Sequence, residues 1–157
     1  MLARITEQTQ QRTRTGCYST CNKILNKTGF KDSKTKYQVV KESGRNIINL
    51  DTDYSKIDRQ LREGIPVLVG VHHTFKYGYN EGTTDHFVII IEKGYDENGL
   101  YYRFLDVGTR KGKDISLKFR YNIENLVYSG SRKTYTISQI RLIIKTQNYG
   151  RNRQGNS

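Results

Sequence analysis

A chain of 157 residues is long enough for one domain, which would bury roughly two-thirds of the surface its unfolded form exposes. Only 34% of the residues are apolar, against the usual ~45–50%, and twelve of these are tyrosines, whose large rings serve the core. The formal charge of +12 steers the surface toward polyanions, and no run of about eighteen apolar residues is present to span a membrane.

Residues 1–15 are rich in Thr, Gln and Arg with few apolar anchors, so a loose arm is expected, flexible over 1–10. They hold no apolar h-region, so no secretory signal is expected. From Gly16 the pattern changes. Tyr18, Cys21, Ile24 and Leu25 recur at helical spacing and Gly29 closes the run, which predicts a helix whose first turn holds Cys17. Residues 37–40 and 47–50 are two short apolar runs. A second helix follows over 53–64, with Asp53 as its cap, Ile57 and Leu61 as its apolar pair and Gly64 as its end.

Beyond it the chain reads as strand. Residues 65–71 form a continuous apolar run, 74–85 a glycine- and threonine-rich loop, and 87–91 the most apolar segment. A turn at 95–99 makes 100–107 the hairpin partner of that segment. Residues 117–121, 125–128 and 135–145 are further strands, and the tail 147–157 is expected to fray. Helices first and antiparallel strands afterwards predict an α+β fold, one domain over 1–157 with no repeat or linker.

The chemistry starts at Cys17. A thiol at a helix N-terminus meets the positive end of the dipole and unpaired N–H groups, which favour the thiolate and could hold an oxyanion. Its base must come from elsewhere in the fold, and there are three histidines. His86 is best placed, at the lip of the most buried strand; His72 and His73, ending the preceding strand, are rivals. A neutral imidazole needs an acceptor on its other nitrogen. With a turn near Asn98, residue 88 lies opposite about residue 104 or 106, which brings Asp106 near His86. Asp85 is the rival acceptor, although its side chain should point to the other strand face.

Cys21 lies one helical turn after Cys17. Cα atoms about 6 Å apart on one helix face rarely support a disulfide, so both thiols are expected free, with Cys21 as core filling. A zinc site from the two cysteines and two histidines lacks the usual knuckle spacing. No metal and no cofactor is therefore assigned. The basic residues form no stripe, and the tyrosines alternate as in sheet packing, which argues against nucleic acid as partner.

These residues carry a family resemblance. Gln11-Arg-Thr-Arg-Thr-Gly-Cys17, with Ser19-Thr20 and Ile24-Leu25 after it, resembles the start and nucleophile helix of papain-like cysteine peptidases. Gly64-Ile-Pro-Val-Leu-Val-Gly70, Asp85-His86-Phe-Val-Ile-Ile-Ile91, Gly94-Tyr-Asp96 and Phe104-Leu-Asp106 are similar to the branch related to bacteriocin-processing peptidases. The likeness spans about Gln11 to Gly108. It implies a papain-like fold, its nucleophile helix packed on an antiparallel sheet, with Cys17 as nucleophile, His86 as base, Asp106 as orienter and Gln11 as oxyanion donor. Gln10 stands beside Gln11 as a second candidate donor. Tyr18 departs from the small residue usual after the cysteine, and Val107 from the proline usual after the aspartate.

A cysteine peptidase or amidase is the function this implies, acting on a peptide or on peptidoglycan. The small, basic, signal-less chain also resembles the wall-cleaving effectors that bacteria deliver into competitors. That would make it cytoplasmic in its producer, carried to another cell or periplasm by a secretion system, and paired with an immunity or inhibitor protein. The alternative is a basic nucleic-acid- or protein-binding module on the same scaffold with an inactive site.

Overall fold

The computed structural model describes residues 17–39, 54–75, 78–79, 86–107, 114–122, 125–130 and 133–146. In chain order these form helix α1 (Cys17–Lys27), strand β1 (Phe30–Gln38), helix α2 (Ser55–Arg62) and strands β2 (Val67–Phe75), β3 (Gly78–Tyr79), β4 (His86–Asp96), β5 (Gly99–Leu105), β6 (Lys118–Asn122), β7 (Asn125–Ser129) and β8 (Lys133–Lys145). All the strands join one antiparallel sheet in the order β1-β8-β7-β6-β5-β4-β2-β3. The fold is α+β. A further antiparallel pairing of β8 with β2 closes the middle six strands into a barrel. The length of β8 makes this closure work: one of its edges serves β7 and then β1, while the other serves β2.

Strand alternation sorts the apolar residues into two cores. Val69, Val88, Ile90, Phe104, Tyr135 and Ile137 are among those that fill the barrel. Their neighbours Leu68, Ile89 and Leu105 point outward, where α1 covers them with Cys21, Ile24 and Leu25. Each such side chain contributes roughly 1.5–3 kcal/mol by leaving water, which holds an 11-residue helix that would be marginal alone.

The second helix covers one end of the barrel. Ile57 joins the interior core, and Gln60 bonds the β8 backbone twice: its Nε2 donates to the Ile143 carbonyl (2.6 Å) and its Oε1 accepts from the Ile143 N–H (3.2 Å). Asp58 accepts from Lys93 Nζ at 3.0 Å and from the Tyr102 hydroxyl at 2.5 Å. Lys93 lies seven residues along β4 from His86 and Tyr102 pairs with it, so α2 sits toward the end remote from His86. Gly29 and Gly64 end the two helices at φ of 93° and 75°, the left-handed region that glycine enters without a Cβ penalty.

Several expectations are corrected. The order is not helices first, because β1 lies between α1 and α2. Its sequence is polar because, among the described residues, it pairs on one side only, with β8, and Lys31, Lys34 and Lys36 guard the edge. The expected loop over 74–85 begins in strand: Thr74 and Phe75 pair with Thr134 and Lys133, since β8 offers backbone partners that far. Gly78 and Tyr79 then return against Phe75 and Thr74. Tyr54, not Asp53, is the residue before α2, and it makes no side-chain cap bond. Asp53, the arm over 1–10, the run 47–50 and the tail 147–157 lie outside the described residues. Among the described residues no helix is long and apolar enough to cross a membrane.

Candidate active site

The β4–β5 hairpin turns at Glu97-Asn98, with Asp96 paired to Gly99. Gly99 has a φ of 102°, and the Asn98 N–H donates to Asp96 Oδ1 at 2.9 Å. Arg120 of β6, helped by the Asn98 N–H and Lys118, holds the Asp96 carboxyl well below the usual carboxylate range. Regular pairing from that turn sets Val107 opposite Val88. A bulge at Ile91 shifts the register: Glu92 still faces Arg103, but Ile90 faces Phe104 and Ile89 faces Leu105. Continued one step, this sets Asp106 opposite Val88. A one-residue slip moves a side chain to the other sheet face, so the bulge is what puts Asp106 on the face of His86.

There the two side chains meet. His86 Nε2 lies 2.6 Å from Asp106 Oδ1, with the imidazole 9% and the carboxylate 1% exposed. The contact assigns the proton to Nε2, which donates to the carboxylate and leaves Nδ1 as the basic nitrogen. Asp106 Oδ2 accepts a second bond, from the hydroxyl of Tyr135 on β8 at 2.7 Å. The Tyr135 ring is fully buried and tilts against the imidazole with centroids 5.3 Å apart. It also touches Tyr128 and Phe104, so the barrel core fixes its position. Sequence reasoning missed Tyr135. One tyrosine among twelve carries no mark of its partner, and the contact joins strands 29 residues apart that barrel closure brings together.

The first turn of α1 packs beside the start of β4. Tyr18 meets Phe87 edge to face at 5.0 Å, and the Cys21 thiol lies 3.6 Å from the Phe87 carbonyl. The residues flanking these contacts are Cys17, the first of the helix, and His86, the first of the strand. Cys21 itself has no exposure and is part of the outer core. Gln10, Gln11 and Asp85 lie outside the described residues.

The rival histidines are placed otherwise. His72 is buried opposite Thr136 on the strand face that alternates away from the barrel-filling Val71. The backbone at His73 pairs with Tyr135 within β2, not at a strand end. Among the described residues no three His, Cys, Asp or Glu side chains are grouped to hold a metal ion.

A model of the Peptidase_C39 like family matches residues 3–135, which takes in both ends of this arrangement. No curated protein and no solved structure matches the chain significantly.

Proposed function

The chain belongs to the Peptidase_C39 like family, a family of cysteine-peptidase type, and from that premise we propose that it is an active cysteine hydrolase of papain-like fold, its single domain built around Cys17, His86 and Asp106. The observation that carries this reading is the buried His86–Asp106 pair at the strand start beside which α1 begins. With Asp106 on Nε2, the Nδ1 atom takes the Cys17 proton, and the helix N-terminus favours the thiolate that results. The thiolate attacks an amide carbonyl. The oxyanion is held by the Cys17 backbone N–H and the Gln11 side chain. Collapse breaks the C–N bond as imidazolium gives its proton to the leaving amine. Water then loses a proton to His86, attacks the thioester and frees Cys17 and a carboxylic acid.

The +12 charge suits an anionic substrate surface, and a peptidoglycan stem peptide is the substrate class proposed ahead of a cytoplasmic protein. A delivered antibacterial effector, held in check by an immunity protein, is the role that fits such a substrate. The test incubates the protein with purified peptidoglycan and, separately, with casein, using Cys17→Ala as blank. Soluble peptide released from the wall by the native chain alone supports the proposal. Cleavage of casein alone moves the substrate class to proteins, and no Cys17-dependent cleavage of either rejects the hydrolase.

A further inference from the structure

We infer that Arg141 and Asp32 form a clamp that positions the proposed nucleophile and base relative to each other. Arg141 stands on β8, beyond the residues that match the family, and Asp32 on β1. Arg141 Nη1 donates to Asp32 Oδ2 at 2.9 Å, and the Tyr18 hydroxyl donates to the same oxygen at 2.8 Å. The guanidinium carbon lies 4.9 Å from the Tyr18 ring centroid and 5.6 Å from that of Phe87. Tyr18 follows Cys17 in the chain and Phe87 follows His86. One planar cation thus touches the neighbour of each.

The clamp is itself fixed. Arg141 Nε donates to Gln139 Oε1 at 2.7 Å, and Gln139 Nε2 donates to Gln38 Oε1 at 3.2 Å. Asp32 Oδ1 accepts from the Lys34 N–H at 2.8 Å, where the chain takes a left-handed turn at φ 71°. That backbone is strained for a lysine, and it sits at a register shift in β1 that serves the Asp32 carboxylate. The carboxylate side chain is 3% exposed and the guanidinium 19%. A rigid planar fork in this setting holds α1 against β4 at one spacing, which a flexible ammonium could not do. The bulky Tyr18 thereby gains a purpose. Arg141 and Asp32 are nearly neutral as a pair, so their effect on the thiol is one of position.

The inference rests on the roles proposed for Cys17 and His86, and one experiment separates the two. The alkylation rate of Cys17 by iodoacetamide is followed by peptide mass from about pH 5 to about pH 9, in the native chain and in Arg141→Lys and Asp32→Asn. Near pH 6, a clamp predicts that both variants react roughly ten- to a hundredfold more slowly, with profiles moved up toward an ordinary thiol. A purely coulombic role predicts the reverse for Asp32→Asn, because an unneutralised guanidinium would favour the thiolate. Native-like profiles in both variants, or a faster Asp32→Asn, overturn the clamp while leaving the hydrolase intact. An ordinary thiol profile in the native chain overturns both. Should Asp32→Asn not fold, Tyr18→Phe removes only the hydroxyl that reaches Asp32 and is held to the same slowing.

Discussion

Asp106 is bound from two sides, by an imidazole on β4 and a phenol on β8, with 1% of its side chain exposed. A buried carboxylate is costly without such donors, and hydrogen bonds to a charged group are each worth roughly 1.5–3 kcal/mol. The Tyr135 hydroxyl therefore both stabilises the fold and keeps the carboxylate turned toward Nε2. Tyr135→Phe retains the buried ring and removes one donor. It is expected to lower unfolding free energy by roughly 2 kcal/mol in a urea titration. An unchanged midpoint would show that this hydrogen bond is not what holds Asp106. The three residues differ in how far the sequence reveals them. His86 stands out because it opens the most apolar segment, and Asp106 because hairpin counting brings it near. Tyr135 has no such local signal.

The elements that carry the candidate site are joined by side-chain hydrogen bonds. α1 is tied to β1 and β8 through Tyr18, Asp32 and Arg141, and α2 to β8 through Gln60. Burial alone would raise the Asp32 carboxyl, but the Lys34 N–H, Tyr18 and Arg141 outweigh it and hold the group below the usual carboxylate range. A depressed folded value stabilises the protein above the unfolded value, and that contribution disappears as pH falls through the folded one. Asp32→Asn is therefore expected to cost roughly 3 kcal/mol at neutral pH, with the deficit shrinking below about pH 4. Stability measured by denaturant across that range checks it, and a deficit independent of pH contradicts it. At this scale the long periodic elements could be read from sequence: both helices and the 87–91 strand. The polar edge strand β1 could not, because its pairing depends on β8 more than a hundred residues later. Nor could the bulge at Ile91, although the face of Asp106 depends on it.

For the molecule as a whole, barrel closure decides which residues meet around His86. α2 covers one end, while the other gathers the start of β4, the residue after β5, the first residues of β8 and the first turn of α1. An α+β fold follows from helical patterns near the start and strand patterns after them, although β1 stands between the helices. That the sheet closes is not, since the β2–β8 pairing joins strands about 70 residues apart and has no local signature. The closed barrel turns His86, Asp106 and Tyr135 into neighbours, and packing of α1 on its outer wall brings the first helical turn to the same end.

Activation of Cys17 by His86, as proposed, is read from the rate at which a thiol-reactive probe labels Cys17 near pH 6. An ordinary thiol, with a pKa near 8.5, is less than about 1% thiolate there. The native chain is expected to react roughly a hundredfold faster than a free thiol, and His86→Ala to lose that advantage. Labelling of native Cys17 no faster than a free thiol, or a rate untouched by His86→Ala, would contradict that activation.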